Sequence, residues 1–325
     1  MKKTELYPLQ FVPQYKSRLW GGNKFNSCFN RNAEGHQLGE SWEISGLKKR
    51  PSIVLNGSLK EQNLRSLIKQ FPEALLGKEV LDRFGQNFPL LIKFIDAKAP
   101  LSVQVHPNDV LAKERHNCYG KNEMWYVVEA EGKAELTLGF KNKLTKESFS
   151  DLQKEGNLEK ELHVEKVKKG DVVSVPAGLL HAIGGGVLLA EIQQASDITY
   201  RVYDYDRIDE KTGAKRVLHQ ELALDAIDFT LDKQGIIPYE QKTNHFNPLV
   251  NTPYFTTNFL PVDGSCKIDY SKRASFSVLI CVEGTLTIEG NAHLLPLQKG
   301  QCALIPAALN EIDLKGKAQL VEVTI

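Results

Sequence analysis

The segment KKGDVVSVPAGLLHAI, residues 168–183, carries the strongest indication of the fold. A short run of mostly β-branched residues stands between Gly170 and Pro176, which is the pattern of a strand that begins and ends at turns. The segment QKGQCALIPAALNEI, residues 298–312, repeats this arrangement with the same spacing between its glycine and its proline. A weak internal repeat of this kind predicts two similar halves.

Short strand-like segments surround both copies of the repeat. They are rich in β-branched and aromatic residues, are bounded by turn residues, and do not alternate regularly with helices. This pattern predicts a mainly β protein built as a sandwich, jelly roll or barrel. The clearest segments are KFIDA (93–97), LSVQVHP (101–107), EMWYVVEA (123–130), AELTLGF (134–140), VLLAEIQQ (187–194), ITYRVYDYD (198–206), FTTNFLPVD (255–263), FSVLICVEG (276–284) and QLVEVTI (319–325).

One part of the N-terminal half has the pattern of helices instead. Leu64, Leu67, Ile68 and Phe71 follow the i, i+3, i+4, i+7 spacing of one helix face. Residues 58–86 are therefore predicted to form a small helical insertion on a β domain. Weaker helical patterns cover the segments 108–115, 144–155 and 219–228.

The length of the chain and the repeat together predict two domains, because 325 residues exceed what one hydrophobic core usually supports. The segment 229–245 is mostly polar and weakly patterned, and it is the best candidate for a linker. We therefore expect an N-terminal domain over residues 1–235 and a C-terminal β domain over residues 236–325.

Charge and cysteine content restrict the partners and the compartment. Lys and Arg number 41 against 40 Asp and Glu, so the chain has no overall field that would attract nucleic acid or an acidic membrane. No stretch approaches the roughly 20 apolar residues of a membrane span, and the first residues lack the apolar run of a signal peptide. The five scattered cysteines fit a reducing compartment. We expect a cytoplasmic protein without nucleic-acid or membrane partners.

Two histidines and a carboxylate stand where neighbouring strands begin or end. Strand alternation places Gln104 and His106 on one face, and it places Lys121 and Glu123 on one face of the next strand. His181 follows the turn after the third strand. Two imidazoles, a carboxylate and an amide oxygen would suit a divalent transition metal with one position left open, although a single histidine is more commonly a turn or core residue.

The pattern G-x5-P-x-G-x2-H in residues 170–181 resembles the second cupin motif, and QVHP followed by EMWYVVEAEG resembles a modified first motif in which Gln104 replaces the first histidine. Four segments resemble type I mannose-6-phosphate isomerases and occur in the order of that family: APLSVQVHPND, KNEMWYV, PAGLLHAIGGG and SDITYRVYDYDR. The length, RLWGG and GESWEISG resemble its short bacterial form. The resemblance implies two cupin-like jelly-roll barrels, a bicupin.

The resemblance also implies a metal and its ligands. In that family the residues that match His106, Glu123 and His181 bind zinc, and the residue that matches Gln104 is a further ligand in many members. We therefore expect one Zn2+ per chain, held in the N-terminal barrel. The second half has Asn310 and Glu311 where a ligand histidine would stand, so we expect the C-terminal barrel to be free of metal.

Further site residues follow from the same resemblance. The family places its essential arginine at Arg201, and the residues that match Lys93, Lys121 and Ser102 line its substrate pocket. If the strand around Arg201 is regular, Asp197 shares its face, either as a catalytic acid or as a structural ion-pair partner.

The general base stays open between Asp197, a metal-bound hydroxide and a lysine of lowered pKa. A histidine that the family has just before the lysine of its K-x-E segment is Gly120 here.

The leading hypothesis is a zinc-dependent aldose–ketose isomerase that interconverts mannose 6-phosphate and fructose 6-phosphate through an enediol or enediolate. One alternative is a metal-dependent cupin oxygenase, which would typically use three histidines, whereas only His106 and His181 are so placed. Another is a non-catalytic sugar-binding bicupin. We expect a sugar phosphate as the small-molecule partner and a monomer or weak homodimer.

Overall fold

Antiparallel strands make up most of the structure, a computed structural model that describes residues 5–209 and 212–325. This confirms the mainly β class. The strands are β1 (Gln14–Gly22), β2 (Leu38–Ser45), β3 (Leu90–Ala97), β4 (Val103–Val105), β5 (Glu123–Ala130), β6 (Glu135–Phe140), β7 (Leu162–Lys166), β8 (Val172–Val175), β9 (His181–Ile183), β10 (Val187–Gln194), β11 (Tyr200–Tyr203), β12 (Ile208–Asp209), β13 (Ala214–Lys215), β14 (Asn247–Asn251), β15 (Thr256–Asp269), β16 (Ser277–Gly290), β17 (His293–Gln298), β18 (Cys302–Ile305) and β19 (Glu311–Thr324).

Six of the seven described α-helices lie in the segments in which the sequence predicts them, and the short helix Lys24–Ser27 was not predicted. Three short helices fill the predicted insertion, and Asn63 caps the first of them by accepting a hydrogen bond from the backbone N–H of Ser66. The helices are α1 (Lys24–Ser27), α2 (Leu64–Gln70), α3 (Pro72–Leu76), α4 (Lys78–Phe84), α5 (Asp109–His116), α6 (Lys146–Lys154) and α7 (Gln220–Ala226). None of these described helices is long and apolar enough to cross a membrane.

Two sheets of the N-terminal half pack face to face. The first has the strand order β1-β2-β3-β10-β5-β8, and the second has the order β11-β4-β9-β6-β7. Apolar side chains from both sheets fill the space between them, among them Ile95 and Trp125 from the first sheet and Leu138 and Ile183 from the second. The candidate site lies at one end of this space.

The third sheet contains β14 to β19 and belongs to the second half of the chain. Its strand β18 begins after Gly300 (φ 85°), and β8 of the first half begins after Gly170 (φ 89°). Both glycines have a positive φ that other residues rarely adopt, so the repeated segments share the same turn conformation. The two-barrel arrangement implied by the resemblance is consistent with this repeat.

The first sheet is covered on both faces. Every residue of β3 and β10 is buried, because one face contacts the second sheet and the other contacts the second half of the chain. Tyr126 of β5, for example, stacks on Phe259 of β15 with ring centroids 6.0 Å apart. Continuous burial explains why apolar residues occur on both faces of these strands, without the alternation expected of a sheet that has one solvated face.

The named strands pair within each half, whereas an isolated antiparallel bridge joins Leu9 to Leu304 and the two halves share one hydrophobic core. The segment 231–242, where we placed the domain boundary, contains no helix or strand. The boundary between residues 235 and 236 stays a prediction. All five cysteines are free thiols.

Candidate active site

His106, Glu123 and His181 form a compact buried group, which we call the His–Glu cluster. His106 directly follows β4 and His181 begins β9, so both imidazoles come from the second sheet. Glu123 begins β5 of the first sheet and faces them across the sandwich. One ligand atom from each residue lies within 4.8 Å of the others. Residues distant in sequence thus converge in one buried group.

The protonation of the cluster suits metal binding. Nδ1 of His181 donates a hydrogen bond to the carbonyl oxygen of Leu179 at 2.9 Å, which leaves the lone pair on Nε2. Burial lowers the pKa of His181, and burial together with the charge of Lys121 lowers the pKa of His106 to about 3. Burial alone would raise the pKa of Glu123, but Lys121 and His106 outweigh it and lower that pKa.

Two neutral imidazoles and an ionised carboxylate are the donor set of a divalent transition-metal site. The residues present therefore fit a bound metal.

Gln104 reaches this cluster from β4, where it is the direct cross-strand partner of His181. Its amide nitrogen lies 3.3 Å from Nε2 of His181. A half-turn of the amide would exchange nitrogen and oxygen and present the oxygen that a metal requires. The role of Gln104 as a fourth ligand stays a prediction.

A cavity of about 410 Å³ borders the His–Glu cluster, and the side chains that line it are mostly charged. It brings together every predicted site residue outside the cluster: Lys93, Ser102, Gln104, Lys121, Asp197 and Arg201. Lys121 connects the cavity to the cluster, because its ammonium lies 2.8 Å from Oε1 of Glu123 and 3.2 Å from Nε2 of His106.

Lys93 forms a buried ion pair with Glu191. The two residues are direct partners on β3 and β10, in a cross-strand row that also contains Trp42 and Trp125. Direct partners point to the same face, which is the face toward the cavity. Burial alone would lower the pKa of Lys93, but Glu191, Glu40 and other acids outweigh it and raise that pKa. Lys93 is therefore a charged group with a structural partner.

Breaking this pair should destabilise the fold. We expect Lys93→Met to lower the free energy of unfolding by about 3–5 kcal/mol, because it leaves the Glu191 carboxylate buried without its cation. Urea unfolding measures the change. Lys78→Met is the matched control, since it removes a lysine from the exposed pair with Asp82, and no measurable change is expected there. A Lys93→Met protein as stable as the parent would contradict the argument.

The structure corrects the expectation for Asp197. The strand β11 begins only at Tyr200, so Asp197 precedes it and strand alternation does not relate it to Arg201. Both residues nevertheless line the cavity. The described ion pairs do not include one between Asp197 and Arg201, so the structural ion pair that we considered is absent there.

Arg201 is fixed by the segment that leads into α7. Its backbone N–H donates to Nδ1 of His219 at 3.0 Å, and the backbone N–H of His219 donates to the carbonyl oxygen of Arg201 at 2.7 Å. The guanidinium Nη1 donates to the carbonyl oxygen of Val217 at 2.8 Å. Arg201 is also the cross-strand partner of Gln104, which places it beside the His–Glu cluster.

Two protein-family models match separate parts of this chain. Residues 8–151 match the model of the family described as phosphomannose isomerase type I, catalytic domain, and residues 246–325 match that of mannose-6-phosphate isomerase, cupin domain. The mannose-6-phosphate isomerase ManA of Bacillus subtilis is 35% identical over 317 residues, which is 97% of this chain and 98% of the relative. The chain belongs to the type I phosphomannose isomerase family.

Other relatives agree with this assignment. A mannose-6-phosphate isomerase of Streptococcus mutans is 32% identical, with 97% of each chain covered. The crystal structure of the mannose 6-phosphate isomerase from Bacillus subtilis superimposes with a TM-score of 0.89 at 32% identity, covering 98% of this chain and 99% of that chain. A structure from Archaeoglobus fulgidus, at 21% identity and a TM-score of 0.78, shares the fold.

Gly120, which stands where the resemblance implies a histidine, has no space for a side chain. A Cβ atom added there would lie 2.6 Å from the backbone nitrogen of Asp109, and the N–H of Gly120 donates to the Asp109 carboxylate at 2.7 Å. The backbone thus leaves no room for a histidine at this position.

The second half shows no counterpart of the His–Glu cluster. Among residues 5–209 and 212–325, the His–Glu cluster is the one group of His, Cys, Asp or Glu side chains placed to hold a metal ion. Glu311, which stands near the position of a ligand, is exposed and pairs with Lys267 at 2.8 Å. A single metal site per chain is therefore the arrangement that the described residues support.

Several charged residues of the cavity are not indicated by the sequence patterns. The overlooked polar lining comprises Lys16, Arg18, Glu40, Glu191, Thr199 and Arg216. Nε of Arg18 donates a hydrogen bond to Glu40 at 2.7 Å. Lys93, Arg18 and Trp42 together lower the pKa of Glu40 to about 2, although burial opposes this shift. One signal was available, because Lys16, Arg18 and Trp20 alternate along β1 and so point to one face.

Proposed function

We propose that this protein is a zinc-dependent isomerase that interconverts mannose 6-phosphate and fructose 6-phosphate. One observation carries the proposal: the buried His–Glu cluster lies beside a cavity lined by six cationic and three acidic side chains. The names of the Bacillus and Streptococcus relatives support the choice of substrate. An oxygenase is disfavoured, because the cluster contains two histidines and not three.

The reaction moves a proton between C1 and C2 of the sugar and develops negative charge on the neighbouring oxygens. We assign the metal to His106, Glu123 and His181, with Gln104 as a fourth ligand. A bound Zn2+ would supply a Lewis acid for the oxygen charge of an enediolate. The donor set of imidazole and carboxylate fits zinc among the divalent metals.

Asp197 is the best candidate for the base that carries the proton. The cavity is lined by three carboxylates, and two of them are committed to cations, Glu40 to Arg18 and Glu191 to Lys93. Asp197 is exposed and forms no ion pair within residues 5–209 and 212–325. It is therefore the carboxylate of the three that can accept a proton without breaking a described ion pair.

The cations of the inner cavity complete the proposed machinery. Arg201 and Lys121 stand near the cluster and would stabilise the charge that develops on the sugar oxygens. Lys93 and Ser102 line the cavity and would contact the substrate hydroxyl groups. All three members of the His–Glu cluster are buried, so a metal held there would be shielded from bulk water.

The partners and the compartment complete the proposal. We propose a sugar phosphate as the small-molecule partner, a cytoplasmic location, and a monomer or weak homodimer. The near-neutral charge of the chain and its five free thiols support this assignment.

Removing the metal should remove the activity. We expect elemental analysis to find one equivalent of zinc per chain, and we expect chelation followed by dialysis to lower turnover of mannose 6-phosphate at least a hundredfold, because the Lewis acid is lost. An assay coupled to fructose 6-phosphate measures this. Protein dialysed without chelator is the control, and one equivalent of Zn2+ should restore turnover. Two bound metals, or full turnover by protein shown to be metal-free, would contradict the proposal.

A further inference from the structure

A group of basic side chains stands at the mouth of the cavity, away from the His–Glu cluster. Arg18 and Arg216 line both the cavity and a neighbouring surface groove of about 450 Å³, which also contains His36 and Asp209. The members of the His–Glu cluster are buried. The two arginines therefore occupy the outer end of the space that begins at the cluster.

Each of these arginines is held in place by a carboxylate that uses only part of its guanidinium. Glu40 accepts from Nε of Arg18 at 2.7 Å, and Asp204 accepts from Nε of Arg216 at 2.7 Å as well as from Nη2. Within residues 5–209 and 212–325, Nη2 of Arg18 and Nη1 of Arg216 have no hydrogen-bond acceptor. Each guanidinium group is thus held in a fixed orientation and keeps N–H groups that can donate to a ligand.

The positive charges at this end repel one another. Their field extends to Arg201, which lies deeper in the cavity beside Gln104: burial lowers the pKa of Arg201, and Arg216, Arg207 and Arg18 lower it further although Asp204 raises it. Asp204 is shared by Arg207 and Arg216, so one carboxylate serves two guanidinium groups. An anion bound among these groups would relieve the repulsion, and a dianion would do so most effectively.

The proposed reaction decides which anion this is. Its chemistry takes place at C1 and C2 of a hexose, whereas the phosphate is carried on C6 at the other end of the molecule. If C1 and C2 lie at the His–Glu cluster, the phosphate lies at the mouth. We propose that Arg18 and Arg216, with Lys16 beside them, form the binding site of the substrate phosphate group, which we call the phosphate seat; this rests on the proposed function.

Lys16 completes the seat on the side of β1. It alternates with Arg18 along the strand, lines the cavity, and lies over the ring of Trp42 with its ammonium 3.1 Å from the ring centroid. The seat holds the non-reacting end of the sugar, so its binding energy orients the reacting carbons. It would also favour a phosphorylated over a free sugar, because an uncharged C6 hydroxyl would leave the cations unmatched.

The test compares Arg18→Ala and Arg216→Ala with the parent. Each variant should raise the KM for mannose 6-phosphate at least tenfold and change kcat less than about threefold, because a charge-assisted contact to a non-reacting group is lost. The dissociation constant for inorganic phosphate, measured by calorimetry after chelation so that a metal cannot bind it, should rise by a similar factor. Zinc content should be unchanged.

Two further variants control for charge and folding. Lys215→Ala removes a neighbouring cation that pairs with Asp206 on the surface, and it should leave KM and phosphate affinity unchanged. Arg216→Ala should still fold, because Asp204 keeps Arg207 as its partner, and Arg216→Lys should recover only part of the affinity.

The outcomes separate the seat from the proposed function. If the parent enzyme isomerises mannose 6-phosphate but both alanine variants keep the parent KM and phosphate affinity, the seat is wrong and the function stands. If the parent does not isomerise mannose 6-phosphate, the proposed function is wrong. Phosphate affinity that falls in both alanine variants would still support an anion seat in that case.

Discussion

Replacing His181 with alanine is expected to remove bound zinc and isomerase activity together. Metal content should fall from one equivalent per chain to less than about a tenth, and turnover of mannose 6-phosphate should fall roughly a thousandfold or more. The reason is that Nε2 of His181 is directed into the cluster by the hydrogen bond from Nδ1 to Leu179, and the part of the chain that the structure describes offers no further histidine in the metal-ligand group to replace it. Elemental analysis and the coupled assay on the same preparation measure both effects.

The matched control is His163→Ala. His163 lies on β7 of the second sheet and pairs with Glu165 at 2.9 Å, so the substitution also removes an imidazole that contacts a carboxylate, but outside the cluster. Zinc and activity should be retained in that protein. A His181→Ala variant that keeps its metal would remove His181 from the ligand set.

Replacing Arg201 with alanine should lower kcat by about two orders of magnitude or more, with zinc content unchanged. A guanidinium is always charged, so Arg201 can stabilise charge that develops on the sugar without any change in its own protonation. Its contacts with Val217 and His219 fix its direction before the substrate binds, which is the condition for acting on the transition state. Steady-state kinetics of the zinc-loaded variant give kcat and KM separately.

Two further variants define what this effect means. Arg201→Lys should rescue poorly, because an ammonium cannot reproduce the planar fork of donors. Arg83→Ala, which removes an exposed guanidinium from α4, should behave as the parent enzyme. A rise in KM alone would make Arg201 a substrate-binding cation, and loss of folding without a kinetic defect in the folded fraction would make its role structural.

The features that could be predicted from the sequence depend on short stretches of chain. The mainly β class follows from strand and turn composition, and the helices of the insertion follow from the spacing of Leu64, Leu67 and Ile68. The candidate ligands His106 and Glu123 follow from the two cupin-like sequence segments that contain them. Each of these patterns spans a few residues and needs no knowledge of how distant strands pair.

The features that were missed depend on pairing between distant segments. Arg18, Glu40 and Arg216 come from β1, β2 and the segment before α7, and their meeting depends on the order of strands in the first sheet. The partner of Lys93 could not be named, because Glu191 is 98 residues away and only the register of β3 with β10 brings it opposite. The position of Asp197 was misjudged because nothing in its local sequence shows that β11 begins at Tyr200.

The double covering of the first sheet has a consequence for how this enzyme can change over generations. On β3, Phe94 packs into the core shared with the second half, whereas its neighbour Lys93 lines the cavity. A substitution in the second half that alters the packing around Phe94 would shift the backbone at Phe94. Because Lys93 is the preceding residue, its side chain would then move within the cavity, although no cavity residue had been replaced. Substrate preference can therefore drift through inherited changes in the half that carries no metal ligands.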